Sequence, residues 1–446
     1  MTTRNEAEEA ERRALEALED DGPELDADGL VPLPEGDRGG RVVTGAEQLA
    51  NAAPKTPLTQ TLADLLPRAL ERMRARAAGK ERRLPIPWSG VARVIGGDRV
   101  DRSDAVGREV LRPGVHVLVG GTGSGKTQFA LSLALEAAKA GRAVTYVGLE
   151  LDEVGLMARL MALAWASVRR LDLMPPDWSE RWASLDWPEG NAAQEGLERV
   201  AAEVVPVLLE LVGKMRFKLG GARSGFSAKD VGDVLDEALT DSTQERPGLV
   251  VLDFLQLLGA REGNPDDRDI RTRIAGAAYA ANNATTDGRL AVVLVSATAR
   301  EHYDKLEGLN LVKLPPAGSL VGTGKESGEI EYSATTVLVL AKPKTSQVAA
   351  PFKALGGIDG WKRARLLAVA KNRHGGAGDG WALLGWDGGA FYDVDPSGDD
   401  LEKARTATPD ETAQAATPDE TKASPSGRES KPTKPKGAEG YDRKKG

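Results

Sequence analysis

Apolar runs four to seven residues long recur between residues 115 and 340, and longer amphipathic stretches fill most of the gaps between them. Val115–Val119, Ala143–Leu149, Met215–Leu219, Leu249–Leu252, Leu290–Val295 and Thr336–Leu340 read as strands. Most are rich in Val and Leu without polar alternation, the pattern of strands covered on both faces by helices. Helices are expected over Lys126–Ala140, Glu153–Val168, Ala192–Val212 (as one or two) and Ala228–Leu239, with Gly141 ending the first. Arg365–Ala370, Trp381–Trp386 and Ala390–Val394 are separated by Gly/Asp turns and read as antiparallel edge strands. The expected fold is α/β, a mostly parallel sheet with an antiparallel C-terminal edge.

The pattern fades at both ends. Residues 1–48 read as an acidic tail and linker, residues 84–395 as one large domain, and residues 396–446 as a low-complexity tail in which Ala407–Thr412 recurs as Ala416–Thr421. Between tail and domain, residues 49–83 form a helical linker. There Leu58, Leu62, Leu65, Ala69, Leu70 and Met73 fall near helical spacing, with Arg68, Arg72, Arg74 and Arg76 between them. Pro67 is expected to kink or restart this helix. Its apolar stripe must be buried either on the domain itself or on a neighbouring subunit.

Composition narrows the chemistry. The chain has 446 residues and a net charge of −8, yet residues 1–48 carry 14 acidic residues against five arginines, so the rest is nearly neutral. That balance argues against a wholly basic exterior and leaves local basic loops possible. Without any cysteine, disulfides, thiolate metal sites and cysteine nucleophiles are excluded, which fits a reducing cytoplasm. His116, His302 and His374 have no metal-ligand spacing and read as ordinary strand or loop residues. No apolar stretch approaches the roughly 18 residues of a membrane span. The acidic start (Glu6, Glu8, Glu9, Glu11) is the opposite of a secretory signal's. A soluble cytoplasmic protein without membrane contact is expected.

The chemistry sits where strands end. Gly120, Gly121, Thr122, Gly123, Ser124, Gly125, Lys126 and Thr127 form the pattern Gly-x4-Gly-Lys-Thr between a strand and a helix. Its glycines let backbone N–H groups approach phosphates closely, and the following helix points its positive end at the same charge. Lys126 reaches the β and γ phosphates, and the Thr127 hydroxyl is placed to ligate Mg2+. Asp253, at the end of the apolar run Leu249–Leu252, supplies a second carboxylate for the metal's shell. Glu150 follows the strand Ala143–Leu149 and is placed to polarise an attacking water, while Asp152 and Glu153 are alternative acids at the next helix start. ATP and Mg2+ are the expected cofactors.

From about Leu84 to Asp395 the chain resembles the RecA-like motor domain of DnaB-type replicative helicases. Gly120–Thr127 resembles the family's Walker A loop. Gly148–Leu151 is similar to its Ser-Leu-Glu-Met segment, and Leu252–Leu257 to its Ile-Asp-Tyr-Leu-Gln-Leu Walker B. Glu326–Glu331 resembles its Glu-Ser-Gly-x-Ile-Glu stretch, and Ala370–Gly375 its Lys-x-Arg-x-Gly element. The resemblance implies Glu150 as the catalytic glutamate, Asp253 on the metal and Gln256 in a coupling role. It also implies that Lys371 and Arg373 reach into the adjacent subunit's nucleotide, that the subunits form a homo-hexamer, and that single-stranded DNA is the partner. Leu58–Arg76 lies where the family has a helix that docks on the next subunit, and Leu84–Gly90 is similar to the segment leading into the motor.

Three departures matter. The loop reads Thr-Gly-Ser-Gly-Lys-Thr, closer to the wider RecA/KaiC group than to the family's Pro-Ser-Met-Gly-Lys-Thr. Ser296-Ala297 stands where the family has Ser-Gln. Residues 1–83 are too few and too polar to replace the helical N-terminal domain, so primase contact is not expected. DNA-facing candidates are Arg261, Arg268, Arg271, Arg273 and Arg300 together with a flexible Gly318–Lys325 loop, with Tyr303 the one nearby aromatic. Alongside the DNA motor stand two alternatives: a RecA/KaiC-like ATPase that regulates or assembles a protein partner, and a nucleotide-gated interaction protein with little turnover.

Overall fold

In the computed structural model, the described residues are 61–96, 109–168, 191–219, 225–260, 269–310, 313–325, 328–343, 364–374, 380–386 and 389–393. The expected tails, 1–48 and 396–446, lie outside them, as do Arg261 and Arg268. The chain divides into two units, Met1–Arg68 and Ala69–Gly446. Of the first, the described part is Thr61 and the opening of helix α1 (Leu62–Ala77). Pro67 lies within α1 without ending it, so the helix starts four residues later than expected and runs through the proline.

The second unit is built on a ten-stranded sheet. Its parallel part joins β3 (Gly114–Gly120), β4 (Val144–Gly148), β5 (Met215–Leu219), β6 (Gly248–Asp253), β7 (Leu290–Ala297) and β9 (Thr336–Pro343) in the order β9-β3-β7-β6-β4-β5. Short β8 (Glu307–Leu309) pairs with β9 off this path. The edge beyond β9 is antiparallel, as expected: β10 (Ala364–Asn372), β11 (Trp381–Trp386) and β12 (Phe391–Asp393). A separate two-stranded ribbon joins β1 (Leu84–Pro85) to β2 (Glu109–Leu111), with helix α2 (Ser89–Gly96) between them in sequence.

The uninterrupted apolar runs follow from burial on both faces. Val115, Val117, Val119, Val250, Leu252, Val292 and Leu294 share one core with α6 (Ala228–Thr240) and α7 (Ile270–Ala284). Leu118, Leu249, Val251, Val293 and Val295 enter the opposite core with α3 (Lys126–Lys139) and α4 (Glu153–Val168). Helix α5 (Asn191–Leu209) keeps Pro206 inside one continuous element and packs Val200 and Val204 against Ala162 and Trp165 of α4. Both sides of the sheet are therefore covered, which places chemistry at strand ends rather than on a face.

Two expectations need correcting. Arg271 and Arg273 do not lie in a loop: they occupy the first turn of α7, which Asp269 caps by accepting from the Arg271 N–H at 3.1 Å. Arg273 donates to the Leu258 carbonyl, a structural tie rather than a free cation. The Gly318–Lys325 stretch begins in a 3-10 turn, Ala317–Leu320, and is then clamped. Glu331, wholly buried in the short helix α8 (Gly328–Ser333), accepts from Gly322 N at 2.5 Å and Gly324 N at 2.7 Å. No helix among the described residues is long and apolar enough to cross a membrane.

Candidate active site

β3 delivers the chain into the glycine loop, and α3 begins immediately after it at Lys126. Gly125 adopts φ 95°, and a Cβ there would fall 2.8 Å from the Phe391 ring, so both conformation and space require glycine. The first N–H groups of α3 lack intrahelical partners and point into the loop. Lys126 Nζ is folded back onto its own loop, donating to the Gly120 carbonyl at 2.9 Å and the Gly121 carbonyl at 3.0 Å. Burial pulls its ammonium below the ordinary lysine value, against the pull of Asp253 and Glu150.

A cavity of about 240 Å3 opens over this loop, lined by Thr122, Gly123, Gly125, Lys126, Thr127 and Glu150, and closed by Arg159, Phe254, Ala297 and Trp386. Asp253 lies just beneath, 3 % exposed at the end of β6. Burial raises the carboxyl's pKa, opposed by hydrogen bonds from the Tyr146 and Thr127 hydroxyls. Its Oδ1 is buried without a hydrogen-bond partner. A buried carboxylate oxygen left open beside a threonine hydroxyl suits a hard divalent cation such as Mg2+, so the residues fit that group. Among the described residues, no cluster of three or more His, Asp or Glu offers another metal site.

The loop is braced from behind by two residues that its motif does not reveal. Arg365 of β10 donates to the Ser124 carbonyl at 3.3 Å and the Gly123 carbonyl at 3.4 Å, and its guanidinium lies 5.4 Å from the Trp386 ring centroid. Burial pulls Arg365 down to about 10. Lys342 of β9 bridges the Thr122 carbonyl and the Glu307 carboxylate, each at 3.1 Å. A lone Arg in an apolar edge strand was the available signal for the first. Nothing in the sequence marks Lys342, Tyr146 or Arg159.

The remaining candidates are elsewhere. Gln256, in a 3-10 turn after β6, donates to Ser296 Oγ at 2.8 Å and to the Lys325 carbonyl at 2.9 Å, tying the end of β7 to the clamped loop. Lys371 and Arg373 are not in the cavity. Because β10 runs antiparallel to β9, Asn372 pairs with Thr336, which is level with His116 of β3, four residues below Gly120. That is about 13 Å of strand, toward the opposite end of the sheet. There the Lys371 ammonium donates to the carbonyls of Glu331 (3.1 Å) and Tyr332, and Arg373 Nη2 to that of Tyr332 at 3.0 Å. Burial and the neighbouring Arg373 pull Lys371 below its usual value.

Among the many solved structures that resemble this chain are the two that follow. One is the ATPase domain of G40P, with 16% identity, a TM-score of 0.49, and coverage of 74% of this chain and 99% of that one. The other is a DnaB-like replicative helicase, described with its interactions with primase, with 15% identity, a TM-score of 0.47, and coverage of 76% and 68%. No protein-family model and no curated protein matches the sequence.

Proposed function

We propose that the chain is an ATP-hydrolysing motor of the replicative-helicase type, translocating on single-stranded DNA, with active sites shared between the subunits of a homo-hexameric ring. One observation carries this reading. Lys126, Thr127, Asp253 and Glu150 converge at one end of the sheet, while Lys371 and Arg373 are held at the other, beyond reach of their own cavity. A cation pair so placed can serve a nucleotide only in another copy of the chain.

In this mechanism the glycine-loop N–H groups and the α3 terminus bind the phosphates, and Lys126 exchanges its two loop carbonyls for phosphate oxygens. Thr127 and Asp253 would hold Mg2+, which would neutralise charge on the phosphate oxygens. Glu150 accepts a proton from the attacking water. Arg373 of the adjacent copy stabilises the charge spread over the γ-phosphoryl oxygens, so hydrolysis requires assembly. Leu70 and Met73, 39% and 63% exposed on α1, supply an apolar stripe for subunit docking. Of the described candidate arginines for DNA contact, Arg271 and Arg300 are exposed.

A second reading, an ATPase that regulates or assembles a protein partner, is favoured by Ala297. A methyl lines the cavity where the resembled family carries a glutamine amide. The test measures ATPase activity with and without single-stranded DNA, together with native mass. Stimulation by DNA in a ring-sized species is expected for the motor. An unstimulated monomer would overturn it, and an unstimulated ring would favour the second reading.

A further inference from the structure

Tyr146 lies two residues below Gly148 on β4, and the register sets Gly148 against Asp253 on the adjacent strand β6. The tyrosine is fully buried, and its hydroxyl donates to Asp253 Oδ2 at 2.7 Å. The donor's identity follows from chemistry: an ionised carboxylate only accepts, so the phenolic proton lies between them. The second oxygen, Oδ1, is buried and has no hydrogen-bond partner. The two oxygens of one carboxylate are thus treated differently, one satisfied and one left open.

That asymmetry needs a cause, because the χ2 torsion of aspartate is broad and roughly two-fold. The Thr127 hydroxyl also bonds this carboxylate, and the tyrosine is the second anchor that fixes its rotation. The core around the ring does not itself demand a hydroxyl. Tyr146 packs in the apolar layer with Phe129, Leu156 and Val251, where phenylalanine would fill the same space. A hydroxyl in such a layer is costly unless it is bonded, and its bond is to the one carboxylate placed beside Lys126 and Thr127.

We propose that Tyr146 is a positioning residue for metal binding: its hydroxyl locks the rotation of Asp253 so that the free oxygen stays directed to the nucleotide's divalent cation. This rests on the nucleotide-binding reading above and adds to it a residue outside every motif of that site. Hydrogen bonds of this kind, to the ligand rather than to the metal, commonly govern metal affinity by an order of magnitude or more.

The test uses the full chain and a fluorescent, non-hydrolysable ATP analogue, with binding titrated against Mg2+ and repeated in EDTA. Tyr146→Phe is expected to leave affinity in EDTA within about twofold of the original, and to raise the Mg2+ concentration at half-saturation about tenfold. In an Asp253→Asn background the same substitution should shift Mg2+ dependence by less than about twofold, because the tyrosine acts through that carboxylate. An unchanged Mg2+ half-saturation in Tyr146→Phe, with analogue binding intact, would overturn the proposal and leave the nucleotide reading standing. A variant that loses EDTA-phase binding or melts below the assay temperature would overturn it as well, since the predicted loss is confined to the metal. If the unsubstituted chain binds no analogue in Mg2+, the nucleotide reading fails and this inference falls with it.

Discussion

The two ends of the parallel sheet use the same device in different settings. At the carboxyl end, Lys126 rests on the carbonyls of Gly120 and Gly121 inside a walled cavity that also holds Glu150, with Asp253 beneath. Toward the amino end, Lys371 and Arg373 rest on the carbonyls of Glu331 and Tyr332 at an open rim. A carbonyl is a weak partner for a full positive charge, so each cation is held in place yet remains available to a better anion. In the proposed motor the first site has its water-polarising acid and its metal carboxylate within one chain. The second has cations held on carbonyls, and in the proposed motor they complete another copy's site.

The comparison breaks first at Lys126. Lys126→Ala should abolish ATP turnover while the protein keeps its fold, read by an ATPase assay beside a melting curve. Arg373→Ala should keep nucleotide binding and lower turnover about 10³-fold, the range for a transition-state guanidinium. Mixing it with Lys126→Ala subunits should restore part of the activity, because intact halves then meet across some interfaces. If mixing restores nothing, the two ends do not cooperate between chains.

Smaller effects sharpen the contrast in stability. His116, on β3 level with the start of β9, is fully buried and bonded through Nε2 to the Arg112 carbonyl at 2.8 Å. Burial pushes its pKa down to about 4 from 6.5, with the Arg112 carbonyl opposing the shift and His374 adding to it. Between those values the unfolded chain binds a proton that the native state refuses. Stability present above about pH 6.5 is therefore lost as pH falls toward 4, on the order of 3 kcal/mol. Denaturant melts across that range should show the slope, and His116→Phe should remove it. Glu331→Ala strips the acceptor from two backbone N–H groups and should cost about 2 kcal/mol. It should also raise hydrogen exchange at Gly322 and Gly324, while Lys126-dependent nucleotide binding stays within about twofold.

Much of the fold could be read from periodicity. The strand starting at Gly114 and the helix Glu153–Val168 came from apolar runs and their punctuation alone, because burial leaves few polar residues to blur them. Helix α7 was hidden: Ile270–Ala284 is rich in Ala and carries arginines where a loop was expected. Its stripe, Ile274, Ala277, Ala278 and Ala281, is too small-sided to register as hydrophobic periodicity, yet it packs closely against the sheet. In the site, Lys126, Thr127, Glu150 and Asp253 were legible because each belongs to a short local pattern at a strand end. Arg365, Lys342 and Tyr146 were not, since each acts on a residue 107 to 241 positions away.

By itself the sequence determined the cradle, because tight backbone curvature around phosphate depends on glycines adjacent in the chain, and it determined the order of strands and helices that carries it. Only the tertiary structure decided which cations share that cradle. The antiparallel turn of β10 sends Arg365 to the glycine loop and Lys371 and Arg373 away from it, although all three lie within nine residues of one another. Strand direction is fixed by pairing with a distant partner and not by local composition. The same strand therefore braces one site at its start and, in the proposed motor, presents cations for another at its end.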